Sequence, residues 1–79
     1  MTKNSAFRAL VIDDEPLARE ELCQLLNETN EVHVLGEAAN AIEGLALIKQ
    51  HRPDVIFLDI EMPGESGLEI IKYIKRQRT

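Results

Sequence analysis

The chain has 79 residues, enough for one small domain or part of a larger one and too few for two. Its 44% apolar content excludes a disordered chain, and fourteen acids against nine bases, a net charge of −5, argue against non-specific nucleic-acid binding. A lone cysteine excludes an internal disulfide, no apolar run approaches the ~18 residues of a membrane span, and residues 1–5 lack the apolar stretch of a signal peptide, so a cytoplasmic protein is expected.

Residues 8–12 (RALVI) form a short apolar run that stops abruptly at Asp13 and Asp14 and reads as a buried strand. Pro16 suits the first turn of a helix, where its missing N–H costs nothing, with Asp13, Asp14 or Glu15 before it. Ala18, Leu22, Leu25 and Leu26 then recur at helical spacing and are expected to face inward, with Arg19, Glu20, Gln24 and Asn27 facing water. The helix should fade near residues 27–30. Cys23 lies on it without an activating base nearby in sequence and reads as a structural thiol rather than a nucleophile.

Residues 32–38 (VHVLGEA) form a second strand, apolar on one face only in part, which suits a sheet edge. A second helix is expected from about Ala41, with Asn40 as N-cap, an inward stripe of Ala41, Leu45 and Ile48, and Ile42 and Leu47 at its flanks. Gly44 costs that helix up to ~1 kcal/mol relative to alanine unless close packing on the sheet needs the space. Arg52 and Pro53 end it. Residues 55–58 (VIFL) are uniformly apolar and again end on an acid, Asp59, which marks a strand of the sheet interior. Residues 60–66 (IEMPGES) are a loop by their proline and glycine. A third helix is expected over about 67–76, with Ser66 as N-cap and Leu68, Ile71 and Ile74 facing inward. Lys72, Lys75, Arg76 and Arg78 gather where cations complement a helix dipole, and Tyr73 reads as a packing residue with an exposed hydroxyl.

Strand and helix thus alternate three times, which implies an α/β fold with a parallel sheet and right-handed crossovers. The two wholly apolar strands should be neighbours, giving the spatial order 2-1-3, with the first helix on one face and the other two on the opposite face. In that order a crevice opens at the carboxyl ends of strands one and three, where open α/β sheets bind ligands. Asp13, Asp14 and Asp59 stand at those ends. Two unit charges ~4 Å apart repel by ~4 kcal/mol at an effective dielectric of ~20, so the acids require a cation. An all-oxygen site favours magnesium, and magnesium beside a spare carboxylate suggests phosphoryl transfer. Taken singly, Asp13 or Asp14 is as readily a helix cap, and Asp59 a residue that ends a strand; the combination across the crevice is what is specific. His33 and His51 fall away from those strand ends and read as structural or surface residues.

LVIDDEPLARE (10–20) and PDVIFLDIEMPGESGLE (53–69) resemble the receiver domains of two-component response regulators. DDEPLAR and VLGEAAN (34–40) are similar to the subgroup whose receivers usually precede a LytTR-type DNA-binding domain. The resemblance covers nearly the whole chain after its first residues. It implies a flavodoxin-like (CheY-like) doubly wound parallel sheet and a regulatory phosphoacceptor rather than an enzyme. It also implies that Asp59 is phosphorylated by a sensor histidine kinase with Mg2+. Asp14 would bind the metal directly, Asp13 directly or through water, Asp59 through a carboxylate oxygen and Glu61 through its backbone carbonyl. The Glu61 side chain would tune the lifetime of the phosphoaspartate, Met62 would pack, and Pro63 and Gly67 match the family's loop and helix start.

The family has five strands in the order 2-1-3-4-5, and this sequence ends after the third helix. The expectation is therefore a C-terminally truncated receiver: one partial domain over 1–79 with a flexible tail at 1–5. It would lack strands 4 and 5, the signalling Ser/Thr, the phosphate-pairing lysine and the aromatic switch residue. The strand at 55–58 would then be an exposed apolar edge and a site of self-association, and DNA would be contacted only through an effector domain outside this chain. Two other readings compete. A magnesium-dependent phosphatase with an aspartyl nucleophile is disfavoured, because such enzymes place two acids one residue apart, followed by Thr or Val. A structural half-domain that pairs with another receiver without accepting phosphate is favoured by the truncation.

Overall fold

Strand and helix alternate along the chain: β1 (Phe7–Ile12), α1 (Pro16–Thr29), β2 (Val32–Ala38), α2 (Ala41–His51), β3 (Val55–Leu58) and α3 (Ser66–Gln77). The computed structural model describes residues 6–63 and 66–77, the side chain of Ser66 excepted. The tail at 1–5, the Ser66 side-chain cap and Arg78 of the basic cluster lie outside the described residues.

The three strands are parallel in the order β2-β1-β3, as the texture of the runs predicts. β1 is central because its sequence supplies apolar side chains to both faces: Ala9, Leu10, Val11 and Ile12 are all fully buried. Its last four residues pair with Val55 to Leu58 without interruption. Against β2 the pairing passes from Ala9–Val34 to Leu10–Gly36, so Leu35 is bulged out of register. Beyond that bulge Gly36 and Ala38 share the face of Leu10 and Ile12.

That face carries the main core, where Leu10, Ile12, Ala38, Ile48, Met62 and Ile70 pack together under α2 and α3. Ala9 and Val11 alternate onto the opposite face, where α1 lies against β1 and β2. α2 descends closely at Gly44: a Cβ there would stand 2.8 Å from Ile12 Cδ1 and 3.3 Å from Ile70 Cδ1. The helix tolerates the glycine because α2, β1 and α3 meet at that point.

Capping fixes where each helix starts and stops. Asn40 Oδ1 accepts from the Glu43 N–H (2.9 Å), and Glu43 Oε1 reaches back to the Ala39 N–H (3.1 Å). Asn30 and Arg52 end α1 and α2 in the left-handed region, at φ 63° and 50°. The turn after α2 is tied to β1. The Arg8 guanidinium donates to the carbonyls of His51 (2.7 Å) and Arg52 (3.0 Å), and Asp54 Oδ2 accepts from the Arg8 N–H (2.8 Å). Those bonds hold the start of β3 level with β1.

Two helix faces differ from the periodicity. On α1 the covered stripe runs through Arg19, Leu22, Cys23 and Leu26, whereas Ala18 and Leu25 are exposed. Arg19 turns inward because it has polar partners there. On α3 the buried stripe is Gly67 and Ile70, with Tyr73 and Ile74 half-buried, while Leu68 (51% exposed) and Ile71 (36%) face outward. The apolar residues of α3 span more than one face, and docking of Gly67 against the β3–α3 turn sets which one is buried.

Candidate functional site

Ile12 and Leu58 are paired at the ends of β1 and β3, so the residues that follow them, Asp13 and Asp59, leave the sheet side by side. The ladder continues one step into the site: the Asp59 N–H donates to the Ile12 carbonyl (3.0 Å) and the Asp13 N–H to the Ala38 carbonyl (3.0 Å). One carboxylate oxygen from each of Asp13, Asp14 and Asp59 lies within 4.8 Å of the other two. Asp13 and Asp59 are half-buried and Asp14 is exposed, which leaves the cluster open to solvent.

Each half-buried acid is fixed by the chain just after it. Asp13 Oδ1 accepts from the Glu15 N–H (2.9 Å), and Asp59 Oδ1 accepts from the Glu61 N–H (2.9 Å). The second oxygen of each accepts no hydrogen bond among the described residues. Glu15, rather than Asp13 or Asp14, caps α1, its Oε1 accepting from the Leu17 N–H (3.2 Å). That frees both aspartates from the capping role that sequence left open.

Glu61 sits in the exposed turn after Asp59, and its carboxylate is not part of the acid cluster. Met62, beside it, is buried in the core and anchors the turn from below, in keeping with a packing role. Gly67 closes the turn from the α3 side, where a Cβ would stand 3.0 Å from Ile60 Cα and 3.6 Å from the Asp59 carbonyl oxygen.

Sequence reasoning missed Arg19. Its guanidinium donates to the Asp13 carbonyl (2.7 Å) and pairs with Glu37 Oε1 (3.3 Å). The signal was legible only in part, since an arginine six residues after an acid looks like any solvated helix position. Cys23 lies against the same Glu37. Burial, then the Glu37 charge and hydrogen bond, push its thiol from 9.0 up to about 11, so it is a protonated packing group and not a nucleophile.

The donor set fits a hard divalent cation: carboxylate oxygens converge from two loops, without nitrogen or sulfur, and with a side open to water. His33 is exposed on β2 and His51 lies at the far end of α2, so neither histidine belongs to the cluster.

The family model for the response regulator receiver domain matches residues 9–79. The chain belongs to this family. The receiver is 60% identical over 63 residues to an uncharacterized response regulatory protein of Vibrio vulnificus (strain CMCP6), covering 80% of this chain and 26% of that protein. It is 50% identical over 65 residues to the transcriptional regulatory protein BtsR of Escherichia coli (strain K12), covering 82% of this chain and 27% of that protein. The chain thus spans about a quarter of the length of the curated relatives it matches. Among solved structures, the signal receiver domain of NarL from Mycobacterium tuberculosis superposes with a TM-score of 0.87 at 37% identity, over 95% of this chain and 60% of that one. The three-stranded parallel sheet in the order 2-1-3 is accordingly part of a CheY-like receiver fold. No helix among the described residues is long and apolar enough to cross a membrane.

Proposed function

We propose that Asp59 is the phosphoacceptor of this receiver and takes its phosphoryl group from the phosphohistidine of a sensor histidine kinase in the cytoplasm. The observation that carries the reading is the convergence of Asp13, Asp14 and Asp59 across the switch point of the sheet. Glu61 holds Asp59 Oδ1, which leaves Oδ2 to attack phosphorus. The new O–P bond forms as the N–P bond of the phosphohistidine breaks, and the imidazole leaves with the electron pair and takes up a proton. Asp13, Asp14, Asp59 and the backbone carbonyl of Glu61 are the groups that would hold Mg2+. Bound there, the metal would neutralise phosphoryl oxygens and relieve the repulsion among the carboxylates.

The DDEPLAR and VLGEAAN stretches support the finer placement among receivers that precede a LytTR-type domain. BtsR being named a transcriptional regulatory protein supports a gene-regulatory output, with DNA contacted by an effector domain outside these residues. The test is incubation of the chain with Mg2+ and a small phosphodonor, followed by intact mass. A single phosphoryl adduct is expected, absent without Mg2+ and absent in Asp59→Asn. A wild-type chain that stays unmodified in Mg2+ defeats the acceptor reading.

A second reading has its own observation. β3 pairs only with β1 among the described residues, so its other edge presents an unpaired ladder of apolar residues. A half-domain that associates through Val55–Leu58 would use that edge.

A further inference from the structure

The acid cluster leaves Arg19 unexplained. It stands near the start of α1 with a side chain only 20% exposed, on a chain with five more acids than bases. Among the described residues it makes no ion pair with Asp13, Asp14 or Asp59. Its guanidinium instead bridges a main-chain carbonyl and a side-chain carboxylate from two separate segments. One Nη donates to the Asp13 carbonyl at 2.7 Å, and Nε meets Glu37 Oε1 at 3.3 Å, one residue before the end of β2.

The Asp13 unit is therefore held at three points. Its N–H is bonded to the Ala38 carbonyl, its C=O accepts from Arg19, and its Oδ1 accepts from the Glu15 N–H. Ala38 and Glu37, the residue that braces Arg19, are adjacent on β2. Rotation of the Asp13–Asp14 peptide would break the bond from Arg19; unless compensated at Asp14 it would also carry the Asp14 side chain away from Asp59 and pull the Glu15 N–H off Asp13 Oδ1. The planar fork of arginine suits this double grip, which a lysine ammonium does not reproduce. Because the cation binds a carbonyl and not a carboxylate of the cluster, the oxygens of Asp13, Asp14 and Asp59 remain available as ligands.

We infer that Arg19, braced by Glu37, is a positioning residue that aims Asp13 and Asp14 at Asp59 and so sets the affinity of the site for a divalent cation. The inference rests on the cation site proposed above.

The experiment is calorimetric titration of Mg2+ into the full chain and into Arg19→Ala, Arg19→Lys and Glu37→Gln. Urea unfolding of each variant and amide hydrogen exchange at Glu15 accompany it. Arg19→Ala is expected to weaken Mg2+ binding roughly 10–100-fold, the range for groups that orient metal ligands, and to speed exchange at Glu15. Arg19→Lys should recover only part of the affinity, and Glu37→Gln should lose less than Arg19→Ala. If Arg19→Ala unfolds more easily yet binds Mg2+ as tightly as wild type, Arg19 is a structural staple and the inference is overturned. Tighter binding in that variant overturns it as well, since the arginine charge would then oppose the cation. If the wild type takes up no Mg2+, the cation reading itself fails and the Glu15 amide alone decides the positioning role. Faster exchange in Arg19→Ala supports that role, and unchanged exchange overturns it.

Discussion

Asp13 and Asp59 each turn one carboxylate oxygen back onto the N–H two residues ahead, and this local bond separates holding from reacting. An amide side chain keeps the acceptor oxygen and loses the charge, so Asp→Asn at either position preserves the turn while altering the chemistry. Asp59→Asn is for that reason a sharper test than alanine. At Asp13 the effect of the same swap on stability depends on whether the metal is present. Without a divalent cation it removes one of the mutually repelling charges held within 4.8 Å of one another. That repulsion is about 1 kcal/mol per pair in a water-like dielectric, and Asp13 takes part in two of the three pairs, so Asp13→Asn should raise stability in EDTA by about 2 kcal/mol. With Mg2+ present the wild type gains stability by mass action and the variant gains less, so the order of the two narrows or reverses. Urea unfolding of both proteins in EDTA and in Mg2+ measures this directly. An Asp13→Asn variant less stable than wild type in EDTA would show that the acids are not strained by their neighbours.

Two glycines make different bets at the level of the elements. At Gly44 an added methyl meets the ends of the Ile12 and Ile70 side chains, and at Gly67 it meets the backbone of Ile60 beside the Asp59 carbonyl. Gly44→Ala recovers up to ~1 kcal/mol of helix propensity but overpacks a buried contact, at a cost of about 1–3 kcal/mol, so a net loss of stability is expected with the site unchanged. Gly67→Ala is expected to be similar in stability but to shift the 59–60 peptide, and so to slow phosphorylation of Asp59 as well. Parallel urea curves and phosphodonor time courses separate the two variants; equal phosphorylation rates would mean that α3 does not set the acceptor's place. The same contacts explain what sequence disclosed. The bounds of β2, α2 and β3 were legible because Asn40 caps, Arg52–Pro53 stops and the apolar runs end sharply. The acid cluster was legible because strand order alone brings Asp13 and Asp59 together. The rotation of α3 was not, since Leu68, Ile70, Ile71 and Ile74 offer more than one apolar face and only the docking of Gly67 chooses between them. Nor was the role of Arg19, whose partners are a backbone carbonyl and a glutamate eighteen residues away.

At the scale of the whole sheet, the two edges differ among the described residues. β2 carries the exposed His33 and Glu37 and a bulge at Leu35, features that blunt strand addition. β3 has neither: Val55, Ile56, Phe57 and Leu58 are uncharged and only half-buried. Pairing of two such edges about a two-fold axis would run antiparallel, because a closed symmetric contact joins each strand to its own copy in reverse. The Asp59 end of one strand then lies beside the Val55 end of the other, and the two acid clusters are kept apart by the strand length, about 10–13 Å for four residues. Association through β3 and acceptance of phosphate are thus geometrically compatible, so self-association alone does not decide between the two readings. The four-residue ladder is short, so association should be weak and visible only as concentration rises. Sedimentation velocity is expected to show the mean mass increasing with loading for the wild type. Phe57→Lys, which places a charge on the edge while leaving the face under α2 and α3 intact, should hold the chain at monomer mass. Asp59 should remain reactive toward a phosphodonor in that variant. A wild type that stays monomeric across the whole range removes the edge as an interaction surface. A Phe57→Lys variant that associates as strongly as wild type assigns the contact to another face.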